Sequence, residues 1–390
     1  MTLNPADFAT KAIHEVAPSA VRKLFDLAAT LNDPVSLGIG EPDFVTPMHI
    51  REAAWRSLQE GKTGYSSNLG ILPLREAICS YLEKFDLHYD PASEIIINAG
   101  ASQGLDLAFR TCLEPGDEVL LPEPTFLAYR SAIQLCGAVI KSIPLSMETG
   151  FRVTPEMIEN AITPKSKMLV LNFPSNPTGV VMSKEDLAAI AKICVKHNLL
   201  VISDEIYAEL NYTGKPHASI ASLPGMKERT MLISGSSKCF AMTGWRIGYL
   251  CAPAELLKML TKMQMFTVVC ACTTSQWASL EGYLHGEADV IAMREEYDAR
   301  RKFLVKAFRD MGLEICEPLG AFYAFPSIQS TGLTSQEFSD QLLADQEVIT
   351  IPGNGFGAPG EGFIRCSYAT SMENLEKAVE RMDKFLKKIK

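Results

Sequence analysis

The sequence predicts an α/β protein, with a large domain built on a mostly parallel, seven-stranded sheet flanked by helices and a smaller α+β domain. Short apolar runs recur between residues 94 and 251 with helical stretches between them, which is typical of alternating strands and helices. Most of these runs are continuously apolar, as expected for strands that are covered on both faces. The chain has 390 residues, more than one hydrophobic core usually serves, so a second domain is expected.

Seven apolar runs predict the strands of the large sheet. They are Glu94–Ala99, Glu118–Pro122, Ala138–Pro144, Met168–Phe173, Leu199–Ser203, Met231–Gly235 and Ile247–Cys251. Sheets of this kind bind ligands at the carboxyl ends of their strands. We therefore expect functional side chains just after these runs.

The pattern differs on either side of these strands. Residues 263–311 are long and helical, an amphipathic helix begins at Met372, and an N-terminal helix is expected over Ala20–Leu31. Further strands are expected at Phe322–Phe325, Val348–Ile351 and Phe363–Tyr368. The predicted domains are a large domain at residues 47–283 and a small domain formed by residues 1–46 and 284–390.

Composition argues against several classes of protein. Lys and Arg total 37 against 46 Asp and Glu, and the resulting net charge of −9 is the wrong sign for binding nucleic acid. The ten cysteines form no CxxC pair, and no HxH or HExxH motif occurs, so neither a disulfide framework nor a metal site is expected. No signal peptide and no apolar stretch of ~18 residues is found, which predicts a cytoplasmic protein without membrane contact.

The GxSxG segment Gly100-Ala101-Ser102-Gln103-Gly104 lies between a predicted strand and a predicted helix. This context is typical of the nucleophile of an α/β serine hydrolase, and Asp204 followed by His217 or His285 would complete a triad in the required order. Alternatively, the free backbone N–H groups of this helix N-terminus bind the phosphate of a cofactor. Both interpretations are kept at this point.

A second set of residues favours the cofactor. Asp204 and Tyr207 follow a strand in SDEIY, Asn176 lies in the turn NPTG, and Lys238 and Arg246 belong to SGSSKCFAMTGWRIGY. A buried carboxylate at Asp204 needs a cationic partner, which a protonated pyridine nitrogen would supply. Apolar neighbours lower the pKa of the Lys238 amine and free it to attack an aldehyde. The combination indicates pyridoxal 5′-phosphate, attached to the lysine as a Schiff base.

In their order and spacing, these motifs resemble those of the fold type I, class I and II aminotransferases, the aspartate aminotransferase superfamily. The resemblance extends over nearly the whole chain, from GEPDF near residue 40 to GFIRCSYA near residue 365. The sequence is most similar to the subgroup that includes broad aspartate and aromatic aminotransferases and the N-acetyl-diaminopimelate aminotransferase.

The resemblance implies three catalytic residues, Lys238, Asp204 and Tyr207. Lys238 would carry the cofactor and then move a proton between the substrate Cα and the cofactor. Asp204 would pair with the pyridine nitrogen and make the ring an electron sink. Tyr207 and Asn176 would hydrogen-bond the phenolic oxygen of the cofactor, and Phe126 would stack on its ring.

The same resemblance implies a phosphate site. The amides of Ala101 and Ser102, the guanidinium of Arg246 and a serine hydroxyl would hold the phosphate. Many relatives carry a serine three residues before the lysine, where this chain has Gly235. Ser236 or Ser237 must therefore substitute, and Ser237 is favoured.

Residues for the substrate and for a partner subunit also follow from the resemblance. Arg365 would bind the substrate α-carboxylate in a bidentate manner, a task suited to its planar fork, with help from Gly40 and Asn176. Tyr65 would reach the cofactor phosphate of the neighbouring subunit, which implies a homodimer with shared active sites. Arg110 is either a surface arginine or a contact for the distal carboxylate of a dicarboxylic substrate, within its own site or across the dimer interface.

The sequence therefore predicts an aminotransferase that moves an amino group between an L-amino acid of aspartate or aromatic type and a 2-oxo acid such as 2-oxoglutarate. Three alternatives stay open. An N-acetyl-diaminopimelate-type aminotransferase differs only in its substrate, whereas a pyridoxal phosphate lyase or a cofactor-binding regulator shares the fold but not the reaction. A serine hydrolase acting through Ser102 is the most distant alternative.

Overall fold

The computed structural model describes residues 4–16, 31 and 33–389 of the chain. These residues form the strands β1 (Val35–Ser36), β2 (Ile95–Asn98), β3 (Glu118–Glu123), β4 (Val139–Pro144), β5 (Ser166–Asn172), β6 (Leu200–Asp204), β7 (Thr230–Gly235), β8 (Gly248–Cys251), β9 (Tyr323–Ala324), β10 (Val348–Ile349), β11 (Ile351–Pro352) and β12 (Ile364–Ser367). Apart from Leu31, the helix predicted over Ala20–Leu31 lies outside the described residues.

The α-helices of the described residues alternate with the strands in the first two thirds of the chain and dominate the last third. They are Lys11–Glu15, Met48–Gln59, Leu72–Leu82, Ala101–Cys112, Leu127–Leu135, Pro155–Ala161, Lys184–Lys196, Ser236–Cys239, Ala254–Thr267, Thr273–His285, Glu287–Asp310, Ser335–Gln346 and Met372–Ile389. None of the helices described is long and apolar enough to span a membrane.

The large sheet has seven strands in the order β2-β8-β7-β6-β5-β3-β4. Each of the seven apolar runs predicted as a strand is a strand of this sheet. β8 runs antiparallel to both of its neighbours, and the other pairs are parallel. The carboxyl ends of β2, β5, β6 and β7 therefore meet at one edge of the sheet, where Asn172 stands in register with Asp204.

Both faces of the large sheet are covered, which explains why its strands are continuously apolar. Alternate residues belong to two separate buried clusters: Leu120, Leu169 and Val201 pack in one, whereas Val119, Val170 and Ile202 pack in the other. Side chains of a strand alternate between the two faces of its sheet, so these strands are buried on both faces, apart from one or two partly buried residues where each begins. The α/β architecture predicted from the sequence is confirmed.

A second group of strands lies outside the large sheet. The N-terminal β1 pairs in parallel with β10, and β11, β12 and β9 form an antiparallel sheet. Residues from both ends of the chain, including Val35, Leu37, Leu375 and Met382, share one buried cluster. The N-terminal segment therefore packs with the C-terminal part of the chain, as the predicted small domain requires, and the domain boundaries stay predictions.

One predicted strand of this region is wrong in detail. The run Val348–Ile351 forms two strands instead of one, because Ile349 pairs with Ser36 whereas Ile351 pairs with Arg365 in a different sheet. The residue between them, Thr350, is fully buried, and its hydroxyl lies 3.1 Å from that of Ser339. This change of sheet brings β12 and its arginine next to the N-terminal segment.

Candidate active site

A cavity of about 440 Å³ lies at the edge where the carboxyl ends of the parallel strands meet. Eleven of the predicted site residues line it: Gly40, Ala101, Ser102, Phe126, Asn176, Asp204, Tyr207, Ser237, Lys238, Arg246 and Arg365. They come from positions 40 to 365 of the chain, so the fold brings together residues that are far apart in sequence. Tyr65 is the predicted site residue that does not line this cavity.

Asp204 is buried at the end of β6. Its Oδ2 accepts a hydrogen bond of 2.6 Å from the Tyr129 hydroxyl, and its Oδ1 accepts one of 3.2 Å from the Ile206 amide. Burial raises the pKa of Asp204 to about 6, and these two hydrogen bonds act in the opposite direction. A cationic partner in the cavity would therefore strongly favour the ionised carboxylate.

Lys238 lies in the short helix Ser236–Cys239 that follows β7. Its Nζ donates a hydrogen bond of 2.6 Å to the Gly40 carbonyl oxygen. Burial lowers the pKa of Lys238 to about 8, with further lowering from Arg365 and Arg246 and an opposing effect of Glu41. More of this amine is therefore neutral near pH 7 than of an exposed lysine, as a nucleophile requires.

The turn between β2 and the helix Ala101–Cys112 has the features of an anion site. Gly100 has a φ of +80°, and a Cβ at this position would lie 2.3 Å from Nη2 of Arg246. Only glycine therefore lets the guanidinium pack against the turn. Within the described residues, the amides of Ala101 and Ser102 donate no hydrogen bond, which leaves two N–H groups and a cation facing the cavity.

The structure distinguishes the two candidate serines. The Ser236 hydroxyl is fully buried and lies 2.5 Å from that of Ser279, whereas Ser237 lines the cavity. This arrangement favours Ser237, in agreement with the prediction from the sequence. A Cβ on Gly235 would lie 2.7 Å from the Cα of Gly248, so the close approach of β7 and β8 requires glycine at this position.

Arg365 is buried on β12 with its guanidinium aimed at the cavity. Nη1 donates to Oδ1 of Asn176 at 3.1 Å, and Nη2 donates to the Gly38 carbonyl oxygen at 2.7 Å. The guanidinium carbon lies 4.5 Å from the centre of the Tyr323 ring. Although Nε is buried, it has no hydrogen-bond partner among the described residues, so the arginine can still bind a carboxylate.

Two tyrosines of the site were not found from the sequence. Tyr323 lines the cavity, and its hydroxyl lies 2.9 Å from that of Tyr207, whose pKa is raised by burial. Tyr129 donates the hydrogen bond of 2.6 Å to Asp204. Tyr323 stands in the apolar run AFYAF and resembles a core residue, and the available signal for Tyr129 was its position three residues after Phe126 on a helix.

Two other predictions are not supported within a single protomer. Tyr65 is 87% exposed on a loop outside the cavity. Arg110 does not line the cavity either, because it lies on the exposed side of the helix Ala101–Cys112, where it pairs with Asp106 at 3.3 Å. A role of Arg110 within its own protomer's site is therefore wrong, and its role across a dimer interface stays a prediction.

The serine hydrolase hypothesis is also wrong. Ser102 and Asp204 share the cavity, but neither candidate histidine lines it. Nε2 of His217 lies 2.7 Å from Oε2 of Glu205 instead, and His285 is exposed at the end of the helix Thr273–His285. Without a histidine beside Ser102, the predicted triad does not form.

Comparison with known proteins agrees with this geometry. Residues 32–382 match the family described as aminotransferase class I and II. The chain is 46% identical to an aspartate aminotransferase of Pyrococcus abyssi and 44% identical to aromatic-amino-acid aminotransferase 2 of Thermococcus litoralis, over 96% of this chain and 97% of each relative. It superposes on aspartate aminotransferase from Thermus thermophilus with maleate at a TM-score of 0.92, with 38% identity over 96% of this chain and 99% of that one.

The fold is that of the fold type I pyridoxal phosphate aminotransferases. The chain belongs to the class I and II aminotransferase family, and it is an aminotransferase.

Proposed function

We propose that the chain attaches pyridoxal 5′-phosphate to Lys238 and transfers an amino group between an L-amino acid and a 2-oxo acid such as 2-oxoglutarate. The observation that carries this proposal is the meeting of Lys238, Asp204 and Arg365 in one cavity. An amine with a lowered pKa, a buried carboxylate and an incompletely paired buried guanidinium form one site.

The residues present fit the cofactor at each of its polar ends. The two free amides of Ala101 and Ser102, with Arg246 and Ser237, suit a phosphate dianion. At the other end of the site, Asp204 lacks a cationic hydrogen-bond partner among the described residues, and a protonated pyridine nitrogen would supply one.

When bound, the cofactor supplies an aldehyde for covalent attachment and a ring that accepts electrons from the substrate. The residues of the chain contribute the rest. Asp204 keeps the pyridine nitrogen protonated, and Asn176 and Tyr207 hydrogen-bond the phenolic oxygen. Phe126 covers the ring. Lys238 would hold and move the proton of the substrate Cα.

Arg365, Asn176 and Gly40 are proposed to bind the α-carboxylate of the substrate. Among the described residues that line the cavity, the cations are Lys238, Arg246 and Arg365, and each has a role already. A cation for a distal carboxylate must therefore come from outside this set. Relatives named for aspartate and for aromatic amino acids support a donor of aspartate or aromatic type.

A homodimer with shared active sites is part of the proposal. Large apolar side chains are exposed on the segments that adjoin the Tyr65 loop, namely Trp55 and Leu58 on the preceding helix and Val269, whose carbonyl oxygen accepts a hydrogen bond from Asn68, which is typical of a surface that a second copy covers. Tyr65 would then reach the cofactor phosphate of the partner. All ten cysteines are free, which supports a reducing, cytoplasmic compartment.

The proposal is tested by the visible absorption spectrum of the purified enzyme before and after an amino donor is added. We expect a visible cofactor band that the donor changes and 2-oxoglutarate restores, with a panel of donors identifying the substrate. The variant Lys238→Ala should lose the cofactor adduct that borohydride reduces. A colourless wild-type protein, or a borohydride-reducible adduct in Lys238→Ala, would contradict the proposal, and little net transfer to 2-oxo acids would favour a lyase or a regulator.

A further inference from the structure

Residues 38–46, which we call the strap, connect β1 to the helix Met48–Gln59 and contribute Gly38, Gly40 and Glu41 to the cavity. Within the described part of the chain, no backbone-to-backbone hydrogen bond involves residues 39–46. The strap is therefore held in place by side chains, namely its own Glu41 and Thr46, which bond to Thr243 and Ala241, and others that reach it from other elements.

Two of these side chains belong to the active site. Nη2 of Arg365 donates to the Gly38 carbonyl oxygen at 2.7 Å, and Nζ of Lys238 donates to the Gly40 carbonyl oxygen at 2.6 Å. A Cβ on Gly40 would lie only 2.9 Å from the Tyr323 hydroxyl, so the strap packs closely against the site. The position of its two carbonyl oxygens thus helps to orient both cations.

The outer end of the strap is fixed by an ion pair. Nη1 of Arg300 lies 2.9 Å from both carboxylate oxygens of Asp43, and the Tyr297 hydroxyl lies 3.4 Å from one of them. The Arg300 side chain is only 7% exposed, and its guanidinium carbon lies 5.3 Å from the centre of the Phe44 ring. Arg300 therefore holds two consecutive strap residues, Asp43 through its charge and Phe44 through its ring.

We propose that Asp43 and Arg300 are a positioning pair for amino transfer. The pair holds the strap so that the carbonyl oxygens of Gly38 and Gly40 orient Arg365 for the substrate carboxylate and Lys238 for the cofactor. This inference rests on the proposed function, because it concerns how the chain prepares those two residues.

The pair acts through charge. Removing the Arg300 guanidinium leaves the Asp43 carboxylate without its cation, and a half-buried carboxylate without a partner moves toward water. The strap between Glu41 and Thr46 then shifts with it, because residues 39–46 make no backbone-to-backbone hydrogen bond and the other side-chain bonds hold only Glu41 and Thr46. Misplacement of a carboxylate-binding group weakens substrate binding even when the group itself is intact.

The adjacent residue provides a matched control. Arg301 lies on the same helix Glu287–Asp310, has a side chain that is 6% exposed, and pairs with Asp298 and Glu317. Its guanidinium carbon packs 5.5 Å from the centre of the Tyr212 ring. None of these partners lines the active-site cavity or belongs to the strap. The variants Arg300→Met and Arg301→Met therefore remove equivalent groups with different connections to the site.

The experiment compares the holoenzyme with Arg300→Met, Arg300→Lys and Arg301→Met. Calorimetry measures the Kd of maleate and of 3-phenylpropanoate, carboxylates without an amino group, alongside KM, kcat and Tm. Whichever of the two carboxylates the wild type binds serves as the probe. In Arg300→Met, we expect its Kd to rise by about tenfold or more, and the KM of the amino donor to rise by a similar factor. Arg300→Lys should recover part of the binding, and Arg301→Met should stay within about twofold while losing a similar amount of Tm.

An equal rise of the carboxylate Kd in Arg300→Met and Arg301→Met would overturn the proposal, and so would an unchanged Kd in Arg300→Met. If Arg300→Met does not fold, Asp43→Asn carries the same expectation and the same test, since it removes the charge from the more accessible partner. A wild-type protein that binds neither carboxylate and holds no coloured cofactor contradicts the proposed function instead, so the two failures are distinguishable.

Discussion

Tyr129 and Asp204 are joined by a buried hydrogen bond of 2.6 Å, although they are 75 residues apart in the chain. Tyr129 belongs to the helix Leu127–Leu135, and Phe126 immediately precedes this helix in the same cavity. The start of one helix therefore places the Phe126 ring in the cavity and gives Asp204 a hydrogen-bond donor. Because this hydrogen bond favours the ionised carboxylate, Tyr129 opposes the effect of burial on Asp204.

The variant Tyr129→Phe should lose kcat/KM by about 10- to 100-fold, the equivalent of ~1.5 to 3 kcal/mol for a hydrogen bond to a charged group. The reason is that Asp204 would hold a protonated ring nitrogen less well. Steady-state kinetics with one amino donor measure the effect. Tyr368→Phe is the control, since its fully buried hydroxyl bonds the Ala321 carbonyl oxygen outside the cavity. Equal losses in both variants would show that only general packing was affected.

Asp204 should make the cofactor-free protein less stable as the pH rises. Burial raises its pKa from 3.8 to about 6, so between these values the folded protein binds more protons than the unfolded chain. The free energy of unfolding then falls with rising pH, by about 3 kcal/mol at most for a shift of about two units. Asp204→Asn should lack this contribution and gain Tm relative to the wild type between pH 4.5 and pH 7. A constant Tm difference would contradict the prediction.

The same Asp204→Asn variant should lose activity by orders of magnitude, because a neutral amide does not stabilise the charge on the ring as a carboxylate does. Turnover numbers with saturating cofactor measure this loss. Normal turnover would make Asp204 a structural residue that caps the end of its strand.

Cofactor capture by Lys238 should accelerate with pH through a midpoint near 8, because the neutral amine is the nucleophile and its pKa is lowered to about 8. Stopped-flow absorbance of cofactor-free protein mixed with cofactor gives this profile. Glu41 raises the pKa of Lys238, so Glu41→Gln should move the midpoint to lower pH. A midpoint near the value of 10.5 for an ordinary lysine, or a shift in the other direction, would refute the prediction.

Tyr65 should serve the active site of the partner. Tyr65→Phe is expected to bind the cofactor more weakly than the wild type, which equilibrium dialysis measures. A hybrid dimer combines one Tyr65→Phe chain with one inactive Lys238→Ala chain. Its only site with Lys238 lies in the Tyr65→Phe chain and receives an intact Tyr65 from the Lys238→Ala chain, so this site should bind the cofactor normally. Sedimentation that finds a fully active monomer would exclude shared sites.

Arg110 offers a test of substrate range across the same interface. If it meets a distal carboxylate in the partner's site, Arg110→Met should lower kcat/KM for aspartate by the equivalent of ~1.5 to 3 kcal/mol. The kcat/KM for phenylalanine should stay nearly unchanged. Arg56→Met is the control, because Arg56 is also an exposed helical arginine with one carboxylate partner, Glu281. Equal effects on the two substrates, or no effect, would leave Arg110 as the surface residue that its pairing with Asp106 suggests.

The large sheet could be predicted because burial of both strand faces leaves a direct mark on the sequence. The inner residues of such runs, for example Ile95–Ile97 and Met168–Leu171, must be compatible with an apolar surrounding, whichever face they point to. Polar residues that follow such runs then stand out, and this is how Asp204 and Asn176 were found. Their positions in the cavity follow from the shared direction of the parallel strands.

The rest could not be predicted because it depends on packing between distant elements. Tyr323 looks like a core residue, since nothing in AFYAF indicates that its hydroxyl meets that of Tyr207. The division of Val348–Ile351 between two sheets depends on which partners lie on each side. The roles predicted for Tyr65 and Arg110 need a second chain, so the fold of one protomer does not test them.

The reversal of β8 has a consequence for how this enzyme can diversify. Because β8 begins at the edge where β7 ends, one short connection carries both Lys238 and Arg246, and no crossover helix separates them. The strand also passes so near the start of the helix Ala101–Cys112 that a Cβ on Gly248 would lie 2.4 Å from the Ala101 amide nitrogen. The length of this connection sets the distance between Lys238 and Arg246, whereas insertions in other loops can change the shape of the cavity without moving either residue.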